Sequence, residues 1–355
     1  MNRWAEPFRR LIASLLPSLL ALVGALLVSA LAIALSGRSP LLAFTSLLDG
    51  AFGSLDSVSE VAVKTCPLLL TGLAIALSFQ AGIWNIGAEG QLLMGALAMA
   101  FIGSRATALP QFIGLPLALV AAAALGAVWA WVAAELKLRR QVNEVITTIM
   151  LNFIALGLIS YLVQGPLMEA AGRYPQTDAL LPAYLMPRWS PYRVHLGLLL
   201  ALVVAAALQV LLYRSVAGYE IRAAGLNPVA ARLAGIDVRR RLLLALLSSG
   251  ALAGLAGGIE VSAVTRRLYE RLSPGWGFTA IAVGLLGRLS PVGVVVAATL
   301  FGALDAGSNA MQRVAGVSSV LVSIIQATVI FFLVAFERRR WFAADSSDEN
   351  AGPRN

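Results

Sequence analysis

The chain has almost nothing with which to do redox or metal chemistry. Among its 355 residues there is one cysteine, Cys66, and one histidine, His195. A lone cysteine excludes an intrachain disulfide framework. With one histidine, neither an HExxH zinc site nor a Cys/His cluster can be assembled, so the expected metal-ligand set is none. Charge is scarce as well: 13% of the residues are Asp, Glu, Lys or Arg, against about a quarter in a soluble domain. Lysine is nearly missing, since 25 of the 27 basic residues are arginine and only Lys64 and Lys137 are not. A Walker A loop needs Gly-Lys-Ser/Thr, but Lys64 follows Val63 and Lys137 follows Leu136. No GxSxG elbow is present either. These absences leave no catalytic set and no way for the chain to bind ATP by that loop.

What the chain has in excess is apolar surface. Hydrophobic residues make up 59% and the mean hydropathy is +0.82. That excess excludes disorder and collagen, and one globular core cannot hide it and keep a wettable surface. The chain belongs in a bilayer. The net charge of +9 does not point to nucleic acid, because the basic residues sit between apolar runs and not on one soluble face.

Apolar runs at 11–35, 67–81, 92–103, 112–134, 145–163, 194–213, 242–264, 278–286, 291–310 and 317–336 predict an all-α polytopic membrane protein of about ten transmembrane helices. The first run is 25 residues long, beyond the roughly 7–15 of a signal-peptide core, and reads as a retained anchor. Residues 36–65 read as a loop with a short amphipathic piece, and 135–140 as a charged bend. Residues 164–193, with Pro166, Pro175, Pro182, Pro187 and Pro191, read as a loop without long helices. The expected organisation is a tail over 1–10, a single membrane domain over 11–336 with a polar loop at 214–241, and a tail over 337–355. An even number of spans puts both termini on one side. Cytoplasmic termini leave 17 Lys/Arg inside and 10 outside, which supports that orientation. Arg266, Arg267 and Arg271 are the exception: either this outer segment folds against a partner or the span count near it is off by one. Gly250, Gly254 and Gly258, and likewise Ala298, Gly302, Ala306 and Ala310, recur every four residues, faces that let helix backbones approach in lipid.

Three polar segments interrupt the apolar body. The first is Gly82-Ile83-Trp84-Asn85-Ile86-Gly87-Ala88-Glu89-Gly90-Gln91. Its glycines loosen a helix and place Asn85, Glu89 and Gln91 near membrane depth, where irregular backbone must be buried in protein or line water. An ordinary wet turn is the alternative. The second, 141–152, carries Asn143, Thr147, Thr148 and Asn152, and positions 144, 148 and 152 share a helix face. That face suits either a path for a neutral polyhydroxylated solute or interhelical hydrogen bonds. The third, 219–236, contains Asn227-Pro228, a cap followed by a first helical residue, then a short helix over 229–234 closed by Gly235. Such a helix is not needed to join two spans and reads as a docking element for a cytoplasmic partner, or as a solvated basic connector. Glu260 and Asp305 also fall in spans, as cation or proton sites or as partners of arginines.

Together these segments resemble the permease subunits of bacterial ABC importers for nucleosides and simple sugars, in the group that includes branched-chain amino acid permeases. The resemblance is carried by 82–91, 143–152, 225–236, 277–283 with 285–287, and 266–275, and runs from about residue 60 to 336. Trp84 departs from it, since the family more often has Phe there. The resemblance implies a non-enzymatic subunit of the bacterial cytoplasmic (inner) membrane. Its implied partners are a second permease in a heterodimer, an ATP-binding cassette ATPase and an extracytoplasmic substrate-binding protein. It implies no cofactor in this chain, with ATP bound by the partner ATPase. Residues 222–236 would be the coupling helix, with Arg222, Gly225, Asn227, Pro228, Ala231 and Gly235 engaging the ATPase. Asn85, Glu89, Gln91, Asn143, Thr148 and Asn152 would lie near the translocation path. The length and the 143–152 motif look closer to the nucleoside branch than to the ribose branch. Two alternatives stay open: an ion-coupled secondary transporter using Glu89, Glu260 or Asp305, and an ABC permease for ribose, galactose or branched-chain amino acids.

Overall fold

A computed structural model describes residues 23, 24, 26–105, 109–189, 191–318, 321, 323, 324, 327, 328 and 331. The expected tails 1–10 and 337–355, residues 11–22 of the first run, and most of the run 317–336 lie outside the described residues. Helices dominate what is described, in the order α1 (Leu26–Leu35), α2 (Pro40–Phe52), α3 (Leu55–Gln80), α4 (Ala88–Arg105), α5 (Gln111–Arg140), α6 (Glu144–Gln164), α7 (Leu196–Arg214), α8 (Val216–Leu226), α9 (Pro228–Leu233), α10 (Val238–Ile259), α11 (Trp276–Leu286) and α12 (Pro291–Ala315). Six of them, α3, α5, α6, α7, α12 and α10 with its π-helical extension Glu260–Thr265, are long and apolar enough to cross a membrane. The pair α1–α2, bent by 119°, makes a seventh if it counts as one span.

Three sequence readings are corrected by the structure. Residues 36–65 are not mainly loop: Ser39 caps α2, accepting from Leu42 N at 3.4 Å, with Pro40 at the first helical position, and α3 begins at Leu55. The helix that carries the apolar run 67–81 therefore starts well before residue 67, because Asp56 and Glu60 are tolerated in its early turns. The charged bend at 135–140 is absent. α5 continues to Arg140 with Lys137, Arg139 and Arg140 in its last turn, where cations favour the helix C-terminus, and it ends at Gln141 in a left-handed conformation. The turn then lies at 141–143, where Asn143 caps α6 by accepting from Val145 N at 2.9 Å.

The chain forms two compact units. One comprises the described residues up to 57 and from 304, and in it Ile33, Ala43, Met311, Ala315 and Val317 form a buried core. The other comprises 58–303. Its centre is α4, α5 and α10, held by backbone proximity. A Cβ on Gly95 would overlap the Gly254 carbonyl, and one on Gly126 would overlap that of Gly250. The glycine stripe of α10 thus fits against two neighbours at once, as small faces do in lipid. Pro67 sits inside α3, and the hydroxyl of Thr71 donates to its carbonyl at 2.6 Å. Among its described residues the long proline-rich segment carries one helical turn, a 3₁₀ turn at Pro182–Tyr184, and isolated bridges at Gln176 and Arg188.

That segment meets the arginine-rich one at one end of the unit. Thr177 N donates to Leu268 O at 2.8 Å, Leu180 N donates to Arg266 O at 3.0 Å, and Arg267 pairs with Glu169 at 2.7 Å. Two of the three arginines that break the charge pattern, Arg266 and Arg267, therefore fold against the proline-rich loop of the same chain. The opposite end gathers the C-terminus of α3, the α5–α6 turn, α8, α9 and the start of α10.

Candidate functional site

Between α3 and α4 the backbone turns at Gly82, whose φ of +79° suits glycine, and re-enters the unit. Asn85 is wholly buried there. Its Nδ2 donates to Gln91 Oε1 at 2.9 Å and to Ser249 Oγ at 2.8 Å. Its Oδ1 accepts from Gly87 N and from Gln91 Nε2, both at 3.0 Å. All four hydrogen-bonding positions of the amide are used. Ser249 Oγ passes the chain on, donating to Ala74 O at 2.7 Å, so one amide ties α4, α10 and α3 together.

Asn152 performs the second half of this clamp. It is also wholly buried, its Nδ2 donating to Ile86 O at 2.8 Å and its Oδ1 accepting from Gly90 N at 2.8 Å. The acceptor engages an amide of the first turn of α4 that has no partner within the helix. Glu144, Thr148 and Asn152 do share one face, and that face is buried against the re-entrant loop. Thr148 Oγ1 donates to Glu144 O at 2.7 Å, and a Cβ on Gly87 would lie 3.1 Å from Thr148 Cβ. Glu144 pairs with Lys137 at 2.7 Å, which closes the α5–α6 turn.

Glu89 points the other way. It is buried, and its Oε2 accepts from Gly277 N at 2.7 Å, with Ser273 also bonded to the carboxylate. Gly277 is the second residue of α11, and a Cβ there would overlap Glu89 N. Two helix N-termini, those of α4 and α11, meet here with one carboxylate between them. Their partial positive charges would repel without it. The structure thus joins Asn85, Gln91 and Asn152, with Thr148 beside them, around the loop, and sets Glu89 on its far side. Asn143 stays at the cap of α6, away from the clamp. Ser249, Gly277 and Lys137 complete these contacts and are not among the site residues expected from sequence. Ser249 lies in an apolar run beside the glycine stripe, and only its pairing with a distant asparagine gives it a role.

The second region is the short helix at the opposite end. Ser215 caps α8, accepting from Gly218 N at 3.1 Å. Asn227 caps α9, accepting from Val229 N at 3.1 Å and Ala230 N at 3.0 Å, with Pro228 at the first helical position. Gly235 takes φ +83° just beyond it. Ala231 is buried with Ala224 and Val238, which fixes the inner face of the segment. The outer face is apolar and open: Leu226 is 88% exposed and Leu233 87%, with Val229 between them. Arg222 stacks over Tyr213 at 4.9 Å, and Gly225 lies on the backbone of Gln80 and Ala81.

The sequence profile of the family described as branched-chain amino acid transport system / permease component matches residues 57–334. The guanosine ABC transporter permease protein NupP of Bacillus subtilis (strain 168) is 38% identical over 328 residues, covering 91% of this chain and 94% of that protein. The glucose ABC transporter permease protein TsgB13 of Haloferax volcanii is 39% identical, covering 83% and 79%. The nucleoside ABC transporter permease protein NupB of Lactococcus lactis subsp. cremoris is 30% identical, covering 89% of each. No solved structure matches the chain.

Proposed function

The chain belongs to the family of branched-chain amino acid transport system permease components, and from that premise we propose that it forms half of the pathway of an ATP-driven nucleoside importer. It is a multi-pass inner-membrane protein and a permease subunit of an ABC transporter. The observation that carries the cargo class is the 38% identity to a guanosine permease across 94% of that protein's length. Glucose is the second reading, favoured by the 39% identity to TsgB13 over a smaller share of both chains.

In this proposal residues 11–336 act as one permease domain of about ten spans with both tails cytoplasmic, an orientation that the 17-to-10 split of basic residues supports. The chain pairs with a second permease, receives cargo from an extracytoplasmic binding protein and holds no cofactor. ATP is bound by a separate ATPase. The segment 222–236 couples to that ATPase. In support, Asn227, Pro228 and Gly235 shape a short helix whose inner face Ala231 locks and whose exposed leucines fit a groove. Gly225 and Arg222 seat the segment on α3 and α7. The clamp residues Asn85, Gln91, Thr148 and Asn152 hold the re-entrant loop at the edge of the path, with Glu89 joining the starts of α4 and α11 and Asn143 capping α6. A neutral nucleoside sheds water to cross and exchanges it for amide and hydroxyl partners. ATP-driven closure of the nucleotide-binding subunits rocks the two permeases and opens one side at a time.

The test is uptake by liposomes containing the complete importer. Radiolabelled guanosine is expected to accumulate only with ATP on the ATPase side, and Leu226→Glu with Leu233→Glu is expected to release the ATPase while leaving the chain inserted. Uptake without the ATPase, abolished by an uncoupler, would replace this reading with an ion-coupled transporter. Accumulation of glucose and not guanosine would move the cargo to the sugar reading.

A further inference from the structure

The short-helix segment meets the entry to the re-entrant loop at Gly225 and Gly82, main chain to main chain. A Cβ on Gly225 would overlap Gln80 O and lie 2.9 Å from the carbonyl carbon of Ala81. A Cβ on Gly82 would lie 3.1 Å from Gly225 Cα and 3.3 Å from Gly225 O. No side chain separates the two strands of backbone. Side chains absorb small displacements by changing rotamer, whereas packed backbones have no such freedom and must move together or separate.

The chain just beyond Gly82 is packed as tightly. Ile83 is buried among Ala130, Ala133, Ala134, Leu151 and Leu246, and Asn85, two residues further, is the saturated amide of the clamp. A second tie runs beside the first. Arg222 stacks on Tyr213, whose hydroxyl accepts from Gln80 Nε2 at 3.2 Å, and the same amide nitrogen donates to Leu289 O at 2.5 Å. The last residue of α3 is thereby fixed to α7 and to the α11–α12 turn at the level of the joint.

We propose that Gly82 and Gly225 form the joint through which the segment 222–236 drives the re-entrant loop 81–87. This rests on the coupling role proposed for that segment. The two glycines are positioning residues: they need not touch cargo or ATP. Displacement of α8 presses on Ala81 and Gly82, and the clamp carries the motion from Asn85 to α4 and, through Ser249, to α10.

The test uses the complete importer in lipid nanodiscs and liposomes, comparing wild type, Gly82→Ala and Gly225→Ala. Each added methyl group wedges the joint open. ATP hydrolysis is expected to persist while guanosine delivered per ATP falls about tenfold. Wild-type delivery in both variants, or loss of hydrolysis and delivery in the same proportion, would overturn the joint. Should a variant fail to assemble, the wild-type complex decides. Backbone hydrogen exchange over 83–91 is expected to change together with that over 222–227 when vanadate traps the ATPase. A change confined to 222–227 would overturn the proposal. If instead no ATPase copurifies with the chain, the coupling role itself fails, an outcome distinct from a joint that does not transmit.

Discussion

The clamp makes a quantitative prediction because its hydrogen bonds can be divided between residues. Asn85 makes four, of which two are the reciprocal pair with Gln91. Interhelical hydrogen bonds in membranes average about 0.6 kcal/mol and reach roughly 1.7. Asn85→Ala then costs about 2–4 kcal/mol, the upper part coming from the stranded Gln91 amide. Gln91→Ala loses the same two shared bonds and costs about 1–2 kcal/mol. In the double variant those shared bonds are lost once and neither side-chain amide is left stranded by loss of the other. The double variant should therefore be less damaged than the sum by about 1–2 kcal/mol. The assay is reversible unfolding in mixed micelles by SDS titration, read by circular dichroism, for wild type, both single variants and the double. Additivity within about 0.5 kcal/mol would mean that the two amides do not act as a unit, and the account of the loop as pinned by them would be wrong.

Two further outcomes are expected from other parts of the fold. Gly254→Leu forces a side chain into the carbonyl of Ala122 and against Gly126, so it should cost more than about 3 kcal/mol and abolish assembly, whereas Gly157→Leu, where a Cβ meets nothing within 4 Å, should express as wild type on size-exclusion chromatography. The Gln176 amide, with Tyr174 N and Arg267, holds the Glu169 carboxyl below the usual carboxylate range against the opposing pull of its burial. A group whose folded value is depressed stabilises above its unfolded value of about 4.3 and loses that contribution as pH falls through the folded one. The protection of the Thr177 and Leu180 amides, taken relative to the intrinsic exchange rate at each pH, should thus be steady from pH 7 to about 5 and fall in stronger acid, while Glu169→Gln should flatten the acid limb; parallel curves would refute the assignment.

Much of the bundle was legible from hydropathy, and the places it was not have common causes. The apolar run 145–163 became α6 within a residue at each end, because Asn143 and Gly165 bound it locally. The run 112–134 stops short of the end of α5 because hydropathy alone treats charge as a break. In the structure Lys137, Arg139 and Arg140 favour the end of α5 and Lys137 finds Glu144 across the turn, contacts that need the third dimension to be seen. The short helix after Asn227-Pro228 was readable from its capping chemistry alone. The partners of the polar residues were not. Asn85 meets Ser249 across 164 positions of sequence, and Glu89 meets Gly277 across 188. Composition says that such groups must be satisfied in a membrane, but not by whom.

The enclosure of α3 has a consequence for how the protein is made. Its most apolar stretch is 89% buried, against about 30% for α5, α6 and α7, so its finished surroundings are protein and not acyl chains. A ribosome releases α3 long before α10 and α11, whose Ser249 and Val283 it eventually touches. For that interval the small-residue faces of α3, such as Gly72 and the Ala74 carbonyl, lack the helices that cover them in the finished protein, and the nascent segment waits in the insertion machinery or at the lipid edge. Slowing translation between α4 and α10 would lengthen that vulnerable period, and quality-control proteases would find their substrate there before any defect in finished importers could be measured.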